Sequence, residues 1–252
     1  MLVYQTPESI KEDFEITFCP GCDHGVAIKL IAQVIDELKL KENTIAIGSV
    51  GCSVFLDDYL DFDMVEAPHG RAMAVATGVK RAKPDKTVFT YQGDGDFASI
   101  GIAESIHATT RGEKITAFCI NNTTYGMTGG QAGPTTLLGQ VTTTSPFGRN
   151  VENYGYPIKI SEIMSQIEGA AYVARVAVDS PKAIMNAKKS IKKAFEVQML
   201  GLGTGFVEIL ASCPTNWKMT PIEAHKHVNE VLYKAFEPKV FIDKTIGVSN
   251  GI

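Results

Sequence analysis

Short apolar runs alternate with longer amphipathic segments along almost the whole 252-residue chain. A 3.6-residue period over His24–Leu38 predicts a helix, and TIAIGSV at 44–50 predicts a strand after it. MVEAP at 64–68 reads as a short strand, followed by a helix over GRAMAVATGVKRA. The strand TVFTYQ (87–92), the helix FASIGIAESIHATTRG and the strand ITAFCINN (115–122) repeat the pattern. After a helix near 160–169 come the strand AYVARVAV, the helix PKAIMNAKKSIKKAFE and the strand GFVEILA, and a last amphipathic helix, TPIEAHKHVNEVLYKAF, closes the pattern. Strands that are apolar throughout and separated by helices predict an α/β fold, a mostly parallel sheet with helices on both faces. Between Thr123 and about Ile160 the rhythm stops in a stretch rich in Gly, Thr and Pro. A loop this long inside a compact domain is usually functional or disordered. No composition break suggests a linker, so residues 1–252 are expected to form a single domain.

Composition is that of an ordinary globular protein, 44% apolar and 21% charged. The net charge of −4 gives no electrostatic reason to expect nucleic acid or an anionic membrane as a partner. The basic cluster Lys188, Lys189, Lys192 and Lys193 lies on an amphipathic helix and reads as its solvated face. No apolar run approaches the ~18 residues needed to span a bilayer. The start of the chain carries acids and no basic-then-apolar export pattern, so a cytoplasmic location is expected. Five cysteines, an odd number, argue for reduced thiols rather than a disulfide scaffold.

The strand TVFTYQ ends in Gly93-Asp94-Gly95-Asp96, with a helix behind it. Open parallel sheets bind ligands at such carboxyl ends. Glycines let backbone N–H groups approach a phosphate closely, and a helix N-terminus favours negative charge there. An aspartate beside a phosphate would repel it unless a cation lies between, which points to Mg²⁺ at Asp94. The next strand ends in Asn121-Asn122, where an amide oxygen of Asn122 can complete the same metal shell. Gly-Asp-Gly alone also serves as a plain turn, but its pairing with Asn-Asn one βαβ unit later argues against coincidence. Gly201-Leu-Gly-Thr-Gly205 follows a helix and precedes a strand, the reverse of a dinucleotide-binding turn, and reads as a loop.

Near the start, FCPGC (18–22) ends the apolar stretch FEITF and precedes a helix. That layout suits a redox dithiol, with the helix N-terminus lowering the pKa of Cys22, or half of a metal site. Cys52 and Cys213 stand just past two further strands, on the edge where Asp94 and Asn122 lie. Four thiolates gathered there fit a tetrahedral Cys₄ site, for zinc or for an iron–sulfur cluster, and ligand type alone does not choose. Cys119, inside ITAFCINN, reads as a buried apolar filler.

The stretch GDGDFASIG…CINNTTYGMTGGQAGPTT, together with PHGRAMAVATGVKRA upstream, resembles the thiamine diphosphate-binding β subunits of the 2-oxoacid:ferredoxin oxidoreductases. With the cysteines, the resemblance covers most of the chain from Phe18 to about Pro221. It implies that Asp94, the Asn122 side chain and the Thr124 main-chain carbonyl hold Mg²⁺ against the diphosphate. Gly93 and Gly95 would contact phosphate, with Asp96 and Thr128 close by and Gly51, Cys52 and Tyr125 also lining the cofactor. His69 matches a position facing that pocket and is the candidate catalytic residue. Cys19, Cys22, Cys52 and Cys213 would bind a [4Fe–4S] cluster. The implied reaction is oxidative decarboxylation of a 2-oxoacid to acyl-CoA and CO₂, with electrons passed to ferredoxin and coenzyme A as acyl acceptor. The implied partners are an α subunit carrying the pyrimidine-binding domain, and γ and ferredoxin-like δ subunits. Gly129, where some 2-oxoglutarate relatives carry a Lys, and the Cys213-Pro-Thr-Asn-Trp-Lys-Met-Thr-Pro segment look more like the branched-chain (2-oxoisovalerate) members. The competing readings are a non-redox thiamine diphosphate lyase or transferase with structural zinc, and a thiol–disulfide oxidoreductase using Cys19 and Cys22. His24 reads as a cluster neighbour or a helix opener, and Trp217 and Lys218 as packing around the cluster or a partner. His225 and His227, two apart on a helix, do not share a face for a metal.

Overall fold

The computed structural model describes residues 5–246. Its strands are β1 (Thr44–Ser49), β2 (Asp63–Ala67), β3 (Thr87–Gly93), β4 (Thr116–Asn121), β5 (Thr124–Tyr125), β6 (Gln131–Ala132), β7 (Ala170–Ala177), β8 (Thr204–Leu210) and β9 (Lys239–Asp243). Seven of them form one sheet in the order β2-β1-β3-β4-β8-β7-β9, and β5 with β6 makes a small hairpin. Every neighbouring pair in the large sheet is parallel except β7 with β9. The α/β class and the parallel sheet are therefore as the hydrophobic pattern predicts.

Successive strand residues alternate between two apolar cores, one on each face of the sheet. Phe89, Tyr91, Phe118 and Phe195 pack on one face, below the helices His24–Glu37 and Pro181–Met199. Val88, Ala117, Cys119, Val173 and Phe206 pack on the other, with Phe97 and Met73. Cys119 is thus a buried core residue. The lysines of Pro181–Met199 face outward, Lys188 pairing with Glu37 at 2.6 Å and Lys193 with Glu196 at 2.8 Å. The chain leaves β1 toward β2 on one side and β3 lies on the other, so the sheet's order reverses at β1. Crevices at such reversals, beyond the strands' carboxyl ends, are where ligands bind.

The apolar stretch FEITF buries little: residues 14–17 are irregular and exposed, and only Phe18 is buried. Two expected helices are corrected. The helix after β3 opens with a wide π turn, Asp96–Ile100, before the regular helix Ile102–Thr110. The last amphipathic segment is likewise interrupted, running Pro221–His227, a π turn Val228–Leu232, then Tyr233–Ala235. β9, an antiparallel edge strand, went unpredicted because it is short, mostly half-exposed and opens with a lysine.

Apart from the β5–β6 hairpin and one helical turn, Val151–Tyr154, the long loop after β4 is held without regular structure. Buried Arg149 donates to the carbonyls of Gly133, Pro134 and Thr136 on one side, and of Tyr154, Gly155 and Tyr156 on the other. One guanidinium thus gathers two distant stretches of loop, which matches the five-donor fork of arginine.

Candidate functional site

A cavity of about 190 Å³ opens beyond the carboxyl ends of β1, β3 and β4. All eleven residues expected from the sequence to surround a cofactor line it, together with His24, Val50, Gly126 and Met127. A larger groove of about 650 Å³ lies beside the helix Pro181–Met199 and holds none of these residues. The candidate site is therefore the smaller cavity.

Parallel pairing of β3 with β4 sets Gly93 opposite Ile120. Asp94 and the Asn121-Asn122 pair therefore leave the sheet side by side. Asp94 Oδ2 and the carbonyl carbon of Thr124 both lie within 3.8 Å of the point where a Cβ on Gly133 would stand. The Asn122 amide oxygen accepts the Thr124 N–H at 3.2 Å, and its second lone pair remains for another partner. Burial pushes the Asp94 carboxyl up to about 7, against a hydrogen bond from Thr135. A buried carboxylate with hydroxyl and backbone partners and no cation is short of positive charge, and a divalent ion beside it would offset that deficit. The residues fit a magnesium site. Gly95 is required by close approach: a Cβ there would meet the Tyr125 ring at 2.1 Å.

Asp96 has a different task. Its Oδ1 accepts from Ser49 Oγ at 2.8 Å and from the Gly70 N–H at 2.6 Å, and its Oδ2 accepts from Gln92. His69 Nδ1 lies 2.6 Å from the same Oδ1, in a contact not aligned as a hydrogen bond. Asp96 thus pins the ends of β1 and β3 to the His69-Gly70 turn and orients the histidine ring at the cavity wall.

Cys52 lines the same cavity, and Cys213 lies beside it across Gly126. Cys52 opens a 3₁₀ turn three residues beyond β1, and Cys213 stands three beyond β8. Although β1 and β8 are separated by two strands, both sulfurs lie 3.6 Å from the point where a Cβ on Gly126 would stand. Burial pushes Cys22 up to about 12 and Cys52 up to about 11, and the neighbouring thiols add to both rises, Cys213 and Cys52 acting on Cys22, Cys213 and Cys19 on Cys52. Burial outweighs the expected lowering of the Cys22 pKa by the His24 N–H at the helix N-terminus, so the net shift is upward, which weakens the thiol–disulfide reading. Cys213 is also raised by burial, while Cys19 is exposed. Among the described residues, no three of His, Cys, Asp and Glu are arranged to hold one metal ion. Tetrahedral zinc would need its thiolates about 3.8 Å apart. A cubane cluster gives each thiolate its own iron and suits a wider spread.

Further residues build this site, and of these Asp23 carried no sequence signal. Asp23 joins the Cys19–Cys22 loop to the Ser212-Cys213 turn, accepting from the Ser212 N–H at 2.6 Å. His225 Nε2 lies 2.8 Å from the other Asp23 oxygen, so this histidine is a structural partner. His24 opens its helix, is buried, and bonds Tyr91 at 2.8 Å. Trp217 packs against His227 and donates to the Asn122 carbonyl. Asn121 donates to Glu208 at 2.7 Å and accepts the Thr123 N–H, holding Thr123 at φ +61°.

Residues 49–209 match the C-terminal TPP-binding domain of thiamine pyrophosphate enzymes. The chain is 43% identical, over 96% of its length, to the ketoisovalerate oxidoreductase subunit VorA of Methanothermobacter thermautotrophicus, of which it spans about half (53%). It is 39% identical to the 2-oxoglutarate synthase subunit KorB of Archaeoglobus fulgidus, over 84% of this chain and 75% of that one. The fold is similar to a 2-oxoglutarate:ferredoxin oxidoreductase from Magnetococcus marinus with 2-oxoglutarate, coenzyme A and succinyl-CoA bound, with a TM-score of 0.76, 28% identity, and coverage of 90% of this chain and 73% of that one.

Proposed function

Because the chain belongs to the thiamine pyrophosphate-binding β subunits of the 2-oxoacid:ferredoxin oxidoreductase family, we propose that it carries the thiamine diphosphate and the [4Fe–4S] cluster of such an enzyme. The reaction converts a 2-oxoacid anion and coenzyme A to acyl-CoA, CO₂, one proton and two electrons, which pass singly to ferredoxin. When bound, thiamine diphosphate supplies the electron sink for loss of CO₂, and the cluster a one-electron outlet beside it.

The observation that carries this reading is the position of Gly126, between the magnesium-type residues and the sulfurs. The Cys52 and Cys213 sulfurs and the Asn122 amide all lie within 3.6 Å of one point on it. A cofactor in the cavity and a cluster on those thiolates would therefore be neighbours. Asp94, Asn122 and the Thr124 carbonyl hold Mg²⁺, Gly93 and Gly95 face the diphosphate, and Asp96 holds His69 at the cavity wall. Glycine at 126 keeps the intervening space free of side chain.

The site is completed by an α subunit with a pyrimidine-binding domain, and γ and δ subunits extend the route to ferredoxin. Support comes from the loop between β4 and β7, which exposes Phe147, Tyr156 and Val141. Single apolar residues are ordinary at a surface, but three on the loop framing a cofactor cavity suit a covering partner. Gly129 is exposed and faces open space, so this chain places no cation there for a second substrate carboxylate. That favours a branched-chain 2-oxoacid such as 2-oxoisovalerate. The test is viologen reduction by the complex with coenzyme A and 2-oxoisovalerate, pyruvate or 2-oxoglutarate. The reading predicts substrate-dependent reduction, fastest with 2-oxoisovalerate and absent from the isolated chain. No reduction with any 2-oxoacid refutes it.

A further inference from the structure

Cys213 is followed by a one-turn helix, Pro214–Trp217, whose last two side chains reach back to the loop lining the cavity. Trp217 Nε1 donates to the Asn122 carbonyl at 3.1 Å. Asn216 makes two contacts through one amide: its Nδ2 donates to the Gly126 carbonyl at 2.9 Å and to the Cys213 sulfur at 3.2 Å. A primary amide nitrogen carries two N–H bonds, so both contacts are satisfied together. Cys213 as a residue is only 8% exposed, so the bond lies in a largely buried setting.

We propose that Asn216 is a positioning residue that raises the reduction potential of the cluster bound by Cys213 while holding the cofactor loop through Gly126. The inference rests on the cluster-bearing function proposed above and concerns a residue to which the sequence alone assigns no role. One-electron reduction adds one negative charge to the cluster and its thiolates. The electron comes from 2-oxoacid oxidation and leaves to ferredoxin, and no bond of Asn216 is made or broken. A donor aimed at a ligand sulfur binds the more negative, reduced form more strongly and so favours reduction. The second N–H, on Gly126, fixes the amide's orientation and ties the cluster ligand to the cofactor loop.

The test uses the anaerobically purified complex as wild type, Asn216→Ala, Asn216→Asp and Trp217→Phe. The readouts are the cluster midpoint potential, from a redox titration followed by electron paramagnetic resonance, and iron per chain. Asn216→Ala removes the donor without adding charge, Asn216→Asp keeps the shape but exchanges the donor for an anionic acceptor, and Trp217→Phe loosens the same helix and spares the sulfur bond. Both Asn216 variants are expected to keep their iron and titrate lower. At a fixed ambient potential their reduced-to-oxidised ratio falls by about threefold or more, and Trp217→Phe stays at the wild-type potential. An unchanged potential in both Asn216 variants, an equal shift in Trp217→Phe, or loss of iron from both Asn216 variants overturns the proposal. If only Asn216→Ala loses iron, the potential of Asn216→Asp decides. A wild-type complex without iron removes the functional reading itself, which distinguishes the two failures.

Discussion

The Asp23 carboxylate accepts the backbone N–H of Ser212 at 2.6 Å, joining positions 189 residues apart. Ser212 Oγ returns a bond to the Gly21 carbonyl at 3.0 Å. Two short bonds thus hold the Cys19–Cys22 loop against the turn that carries Cys213. Asp23→Ala leaves a buried N–H unpaired, a loss of about 1–3 kcal/mol. The expected result is a melting temperature roughly 5 °C lower and much reduced iron content, with the circular dichroism spectrum unchanged.

Asp94→Asn separates stability from binding. The substitution removes a buried negative charge that only hydroxyl and backbone donors support. Without cofactor, the variant should melt at or above the wild-type temperature. Its affinity for magnesium thiamine diphosphate should fall by about 100-fold or more, since the ion loses its charged ligand. Calorimetric titration and thermal melts of the same preparations check both halves.

Arg149 tests whether the long loop is built or merely tethered. Arg149→Lys replaces a planar fork by a point donor that cannot reach six carbonyls. A loss of about 2–4 kcal/mol is expected. Limited proteolysis should show new cleavage between 123 and 160 while the sheet core stays intact.

Arg175, fully buried between the rings of Phe236 and Phe241, pairs with Glu208 at 2.8 Å and with Glu162. Burial raises the Glu162 carboxyl pKa, but the Arg175 guanidinium outweighs it and the net shift is downward. A carboxyl depressed in the folded state contributes stability above its unfolded pKa of about 4.3. That contribution is lost as pH falls through the folded value. The urea midpoint of Glu162→Gln should lie below wild type by a constant amount above about pH 5. The gap should close as pH falls below about 4. A gap independent of pH would remove the ion pair as its cause.

Six of the seven strands of the large sheet were legible as short, mostly apolar runs, while β9 and the β5–β6 hairpin were not. Asp94, Asn122 and the cysteines were legible because strand ends and short motifs are local features. Asp23, Asn216 and Arg149 were not, since nothing beside them in sequence announces partners far away in the chain. The wide turn at Asp96–Ile100 was hidden for a similar reason. It closes with the Gly101 N–H on the Asp96 carbonyl five residues back, where Gly101 packs so close to Gly70 that a Cβ would meet the Gly70 carbonyl at 2.9 Å. An apolar period alone reads that stretch as ordinary helix.

In the proposed function four sulfurs, from Cys19, Cys22, Cys52 and Cys213, carry an electron acceptor beside a magnesium-held diphosphate. Metal analysis and a visible spectrum of the anaerobically co-expressed complex decide this. Four irons per chain are expected, with broad absorption near 400 nm that bleaches on adding 2-oxoacid and coenzyme A. A colourless protein with one zinc per chain rules the cluster out.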